Sequence, residues 1–225
     1  MLIAAWSAAS AQNKEWQPTG VWPFINQKFL PATVYAGYLR PSKTIVPCNI
    51  HIGKQALWYS QNDTLMEAIP GTVLRVEFSN GDVYVPVGVN SIGLVVCEDT
   101  IDGKLGRLIE VTAPNQSAID DKARSMLNHT SMLQGGSMGS LTSLIAGVAD
   151  VNGGVQQEEL PIPLSRTYYF LFNGEIFEAN NKNILKRLTK ERRSDYRKFT
   201  RSAEIISDNR SSMIKVWNEF FAKKK

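Results

Sequence analysis

Apolar residues in this chain mostly recur at every second position, in short runs broken by glycine, proline and asparagine. That period belongs to strands with one buried face. Ala32 to Leu39 and Lys43 to Ile52 read as two strands around the Arg40-Pro41 break. Pro47 lacks the N–H that a ladder needs, so it predicts an edge or a bulge for the second of them. The clearest stretch runs from Gln55 to Val87: a strand, a tight turn, a strand, a Pro70-Gly71 corner and a second hairpin. Asn80-Gly81 predicts a two-residue type I′ turn there, because Asn tolerates positive φ and Gly adopts it freely. That turn sets Phe78 opposite Val83, Val76 opposite Val85 and Leu74 opposite Val87 on one buried face. Arg75, Glu77 and Tyr84 then take the other face. Pro86 is expected on an edge or with its nitrogen pointing outward.

Two more hairpins follow. Ile92 to Val111 turns at Asp102-Gly103, which places Arg107 opposite Glu98 and Leu108 opposite Cys97. Thr167 to Ala179 turns at Asn173-Gly174, with Phe170 facing Phe177. Asn62 to Arg75 also aligns without gaps on Asn173 to Lys186, matching Asn, Glu, Ala and Leu at the same places. This echo suggests two related hairpins that pair within one sheet.

Between these strands the period changes. From Pro114 the chain reads as helical, with Ser117-x-x-Asp120 as a capping box variant and Ile119, Ala123, Met126 and Leu127 at helical spacing. Gln134 to Gly154 is rich in Gly, Ser and Met and reads as a flexible excursion. After Ala179 come a short helix with Ile184, Leu185 and Leu188, and a second with Tyr196 and Phe199. A last helix, capped by Ser207, gathers Met213, Ile214, Trp217, Phe220 and Phe221 into one stripe. That stripe is expected to pack on the body.

At 225 residues, 43% hydrophobic and 20% charged, the chain has ordinary globular composition. No apolar run approaches the roughly 18 residues of a membrane span. Charge divides unevenly: Asn181 to Lys225 holds 14 Lys/Arg against 5 Asp/Glu, and the rest of the chain is net acidic. Such a basic end either docks on the acidic body or meets an anionic partner. The opening MLIAAWSAASAQ has an apolar run and a small-x-small Ala9-Ser10-Ala11 site, the back half of a secretory signal with cleavage after Ala11. The positively charged front region is absent, and a buried N-terminal segment is the alternative. Residues 12–30 read as an irregular arm pinned by Trp16, Trp22 and Phe24. Residues 31–180 read as an antiparallel β domain with a helical and Gly-Ser-rich insertion at 115–160. Residues 181–225 form the basic helical end.

Candidate chemistry is thin. Cys48 and Cys97 both fall in strands and form a candidate disulfide, with two buried free thiols as the alternative. Gly135-Gly136-Ser137-Met138-Gly139 fits the G-x-S-x-G string of a nucleophile elbow, but a helix precedes it and no histidine follows it. His51 lies three residues from Cys48, and on a strand their side chains point to opposite faces. His129 stands alone, so no tetrahedral metal set is complete. Asp120-Asp121 and Glu158-Glu159 read as solvated acids. Phosphate-binding glycine motifs are absent. The basic run from Lys182 to Arg201 interleaves Tyr196 and Phe199 as some nucleic-acid binders do, but Glu191 and Asp195 interrupt it and a helix would bury both aromatics.

The ASAQ start, the LWY…TLMEA…VLRVEFSNGDVYVPV unit and YYFLFNGEIFEANNKNILKRL before a basic helical end resemble a loose group of small exported proteins of Bacteroidota-type bacteria. In that group Phe-Pro marks the helix boundary where Leu188-Thr189 stands here. The resemblance implies an extracytoplasmic β-rich body with C-terminal helices, and no catalytic residues. Asp63-Thr64-Leu65 and Asp99-Thr100-Ile101 also resemble O-glycan acceptor tripeptides of such bacteria.

The expectation is an α+β protein: an antiparallel β-hairpin body, as a sheet or partly closed barrel, with C-terminal helices. Its expected role is a non-enzymatic binding or assembly module of the cell envelope, periplasmic or secreted. It would have a protein or glycan partner, no cofactor, no metal, no nucleic acid and no transmembrane span. A serine hydrolase using Ser137 is the alternative, and a nucleic-acid binder using the basic end is the second.

Overall fold

The computed structural model describes residues 23–37, 42–62, 64–88, 90–101, 103–121 and 163–222. Ten antiparallel strands form one sheet: β1 (Leu30–Ala36), β2 (Ser42–His51), β3 (Ala56–Gln61), β4 (Thr64–Glu67), β5 (Val73–Phe78), β6 (Val83–Pro86), β7 (Ile92–Ile101), β8 (Lys104–Pro114), β9 (Leu164–Phe172) and β10 (Glu175–Glu178). Their spatial order is β10-β9-β8-β7-β6-β5-β1-β2-β3-β4. Two four-strand meanders therefore flank a central β5–β6 hairpin, and β4 and β10 are the two edges. The echo hairpins β3–β4 and β9–β10 lie in one sheet, but at opposite ends of it, and do not pair with one another.

The sheet is a curled half-barrel. In a flat sheet β2 and β8, five places apart in the order, would stand about 24 Å from each other. Instead the Gln55 amide of the β2–β3 turn donates to the Thr112 carbonyl on β8 at 2.7 Å. The polypeptide thus closes part of the barrel without pairing its edges.

The central hairpin corrects one expectation. Phe78 N–H donates to Asp82 O at 2.9 Å and Gly81 N–H to Phe78 O at 3.0 Å, which makes a three-residue loop. Gly81 alone carries the positive φ, at 91°, while Asn80 stays out of that region. Asn80 instead accepts from the Asp82 N–H at 3.0 Å, holding the loop from its side chain. The extra residue slips the register by one, so Val76 faces Tyr84 and Glu77 faces Val83. Tyr84 joins Val76 and Phe78 in the core, Val85 and Val87 move to the opposite face, and Leu74 is exposed. At Asn173-Gly174 both residues have positive φ, 55° and 82°, and the two-residue turn forms with Phe170 opposite Phe177. The β7–β8 register is also as expected, with Glu98 opposite Arg107 and Cys97 opposite Leu108.

Pro47 is not on an edge, because β2 lies between β1 and β3. Pairing with β3 begins only at Cys48, so the missing N–H removes no ladder bond on that side. Pro86 is interior too, and pairing with β5 has ended at Tyr84 before it is reached. Phe24 of the arm is buried against Phe29, His51 and Trp58, while Trp16 and Trp22 lie outside the described residues.

Three helices close the chain: α1 (Asn181–Arg187), α2 (Lys190–Ser202) and α3 (Arg210–Phe220). Asn180 caps α1 and Asn209 caps α3, each side chain accepting an N–H three residues on. Asn209, rather than Ser207, thus starts the last helix. Helical residues 116–121 are likewise opened by Asn115, whose side chain accepts from Ala118 N–H, rather than by Ser117. Helix α3 buries Met213, Val216, Trp217 and Phe220 with Phe221 against Leu108, Tyr168, Phe170 and Phe177. Five such side chains contribute on the order of 10 kcal/mol as an upper bound. Gly106 on β8 makes this close approach possible: a Cβ there would stand 2.8 Å from Ile101 and 3.0 Å from Trp217.

Candidate functional site

A shallow cleft of about 150 Å³ opens where three connections converge at one end of the half-barrel. The β2–β3 turn supplies Lys54 and Gln55, the β4–β5 corner Ile69, Pro70 and Gly71, and the β6–β7 turn Asn90 and Ser91. A water's share of liquid is about 30 Å³, and pockets for whole small molecules run to roughly 300–1,000 Å³. The cleft therefore matches one protruding group of a larger ligand.

A few polar groups are set into largely apolar walls. Lys54 pairs with Glu67 at 2.8 Å and lies over the Trp58 ring, 4.7 Å from its centroid. Gln55 sits at φ 53°, and its amide donates to Ile52 O at 2.5 Å and Thr112 O at 2.7 Å. Two carbonyl partners fix which end of the amide is nitrogen. Gln55 Oε1 is left buried with no hydrogen bond among the described residues, as is Trp58 Nε1. An unpaired buried acceptor costs about 1–3 kcal/mol. Neighbouring His51 stacks edge-on to Phe24, and its Nδ1 accepts from Lys54 N–H at 3.1 Å. Burial first, and then the Lys54 charge, lower its pKa, with Glu67 opposing. The imidazole is therefore neutral at pH 7.

On the opposite, outer face Arg75 bridges Glu77 at 2.7 Å and Glu98 at 3.5 Å, and Arg107 bridges Glu98 at 2.6 Å. These charges are spent on one another across β5, β7 and β8. The deepest ion cluster sits at Glu110 on β8, which is 4% exposed. It accepts two bonds from Arg210 of α3, at 2.6 and 2.8 Å, and one from the Tyr168 hydroxyl at 2.8 Å, with Arg166 at 3.4 Å. Burial works to raise the Glu110 pKa, but the Arg210 and Tyr168 bonds and the guanidinium charges outweigh it and hold the carboxyl below its ordinary range. Glu110 fastens α3 to the sheet.

Cys48 and Cys97 are free thiols. They stand on β2 and β7, four places apart in the sheet, and pack into different core clusters. The structure holds the alternative, two free thiols, rather than the candidate disulfide. Burial pushes the Cys48 thiol up to about 12 and raises Cys97 as well. His51 and Cys48 do diverge: Cys48 lies in the core, His51 among the aromatics of the other face. Asp120 accepts from Gln116 and Asp121 is exposed. Ser137 with its glycine string, His129 and Glu158-Glu159 lie outside the described residues.

Among the described residues, no group of His, Cys, Asp or Glu could hold a metal, and no helix is long and apolar enough to cross a membrane. Compared with protein-family models, curated proteins and solved structures, the chain finds no match. The cleft residues Lys54, Gln55 and Glu67 were missed from sequence. Lys54 and Glu67 meet through the β3–β4 hairpin, and only the Gln55 bond to Thr112 depends on the curl.

Proposed function

We propose that the protein is an exported cell-envelope module that works by binding, and that a protein or glycan partner inserts one polar group into the cleft beside Lys54, Gln55 and Glu67. Gln55 carries the reading. Its carbonyl oxygen is held buried by two bonds to the other end of the same amide, in a left-handed backbone conformation, and it asks for a donor. A sugar hydroxyl or a side-chain N–H meets that need, and the Lys54–Glu67 pair beside it offers a further donor and acceptor. The signal-like start and the resemblance to small exported bacterial proteins support the address.

Two experiments test this. N-terminal sequencing of protein from cell fractions should find a mature start at Gln12 outside the cytosol; intact Met1 in cytosol overturns the address. In the same preparation a serine-reactive fluorophosphonate should leave the chain unlabelled. Labelling that disappears in Ser137→Ala would establish a hydrolase instead. For the cleft, a glycan and peptide array should return a ligand that Lys54→Ala and Glu67→Ala each weaken about tenfold. An exposed pair of this kind contributes at most about 1 kcal/mol to stability, so both variants fold. A ligand that both bind unchanged lies elsewhere.

A further inference from the structure

Helix α2 carries Lys190, Arg193, Arg197 and Arg201 at spacings of three, four and four. At 100° per residue they share about 80° of arc and run about 16 Å along the axis. All four are exposed. The far side of the helix is committed to the fold: Tyr196 is 2% exposed, Phe199 packs on Phe220 at 5.5 Å, and Arg192 reaches Glu219 O. Glu191 and Asp195 fall off the stripe, between it and the packed side. Among the described residues none of Lys190, Arg197 and Arg201 has an acidic partner within ion-pair distance, in contrast to Arg187 and Arg210. Arg193 donates one bond to Leu188 O.

This stripe weakens the helix it sits on. Arg193, Arg197 and Arg201 repel one another at i, i+4, and Lys190 at the first helical position opposes the positive end of the macrodipole. Glu191 in the first turn and Arg201 in the last suit the macrodipole, but among the described residues no acid pairs with the stripe, which leaves its charge to a partner outside the fold.

We propose that this face docks the protein on an anionic lipid surface, through electrostatics with headgroup phosphates and without insertion of the helix. Nucleic acid is the weaker fit. Stacking platforms need exposed aromatics, and both aromatics of this helix are turned into the core. The loop that follows the stripe instead presents Ile206, 57% exposed, an aliphatic side chain suited to the headgroup boundary. Glu204 and Asp208 in that loop limit it to shallow contact. This surface is separate from the cleft and does not rest on the reading of it.

The test is co-sedimentation of the full chain with phosphatidylcholine vesicles, with and without phosphatidylglycerol. Binding should require phosphatidylglycerol and fall as salt is raised. The triple variant Lys190→Glu, Arg197→Glu, Arg201→Glu should bind at least about a hundredfold more weakly, at roughly fivefold for each positive charge removed. Lys43→Glu, exposed on β2 and outside the cluster that holds the helices, should bind as wild type. Circular dichroism confirms that the exposed variants keep the fold. Equal binding to neutral vesicles overturns the proposal, as does unchanged binding by the triple variant. Retention on duplex DNA at a salt concentration that releases the vesicles assigns the stripe to nucleic acid and overturns it too.

Discussion

Trp217→Ala is expected to cost about 3–5 kcal/mol, read as a lowered midpoint in urea unfolding. The side chain is 1% exposed and meets Phe170 at 5.5 Å and Phe221 at 6.1 Å. Removing it empties the centre of the cluster that, among the described residues, joins α1, α2 and α3 to the sheet. The cavity cannot collapse easily, because Gly106 has no side chain to move into it. The reverse lesion is informative. Gly106→Val drives a side chain into the same space and should destabilise by about 1–3 kcal/mol through overpacking. Combined, Gly106→Val and Trp217→Ala should cost less than the sum, since each relieves the other's fault. Strict additivity would mean that α3 does not dock on β8 at this point.

Arg210→Ala is expected to cost about 3 kcal/mol at neutral pH, at the lower end of the range for breaking a buried pair. The lower end applies because Arg210 is itself half exposed and Arg166 remains near the acid. What is lost is the compensation of the Glu110 carboxylate. The pH dependence follows in sign. A carboxyl held below its ordinary range contributes stability at neutral pH that disappears as pH falls through its folded-state value. Without Arg210 that contribution is gone, and burial then favours the protonated acid. The gap between wild type and variant should therefore narrow on acidification. A gap independent of pH would show that Arg210 acts through packing alone.

The sequence located strands wherever alternation was unbroken, and turn chemistry where two residues of one loop had to take positive φ. It misjudged the central hairpin because Asn-Gly serves two loops. At 173 and 174 both residues are left-handed, while at 80 and 81 the bond from Asp82 N–H to the Asn80 side chain favours a loop with only Gly81 reversed. One residue of slip then exchanged Val83 for Tyr84 in the core. The caps misled similarly, since Asn209 competes with Ser207 and Asn115 with Ser117 for neighbouring N–H groups. Strand order was out of reach for a different reason. That β5 returns to β1 rather than to β4 is decided by burial across the whole sheet. The approach of the β6–β7 turn to the β2–β3 turn depends on that return and on the curl, whereas the Lys54–Glu67 pair belongs to the β3–β4 hairpin alone.

Strands β8 and β9 are sheet neighbours from Arg107 and Leu171 to Pro114 and Leu164, yet residues 115–163 intervene between them. The hydrogen bond from Asn115 N–H to Pro163 O, 2.8 Å, draws the two ends of that long stretch together. Closing a loop of such length costs about 3 kcal/mol more in chain entropy than closing a two-residue turn. The β7–β8 and β9–β10 hairpins can each form early, whereas their junction must wait for that closure. The β8–β9 seam, where Glu110 and Tyr168 meet, is therefore expected to form after the two hairpins it joins.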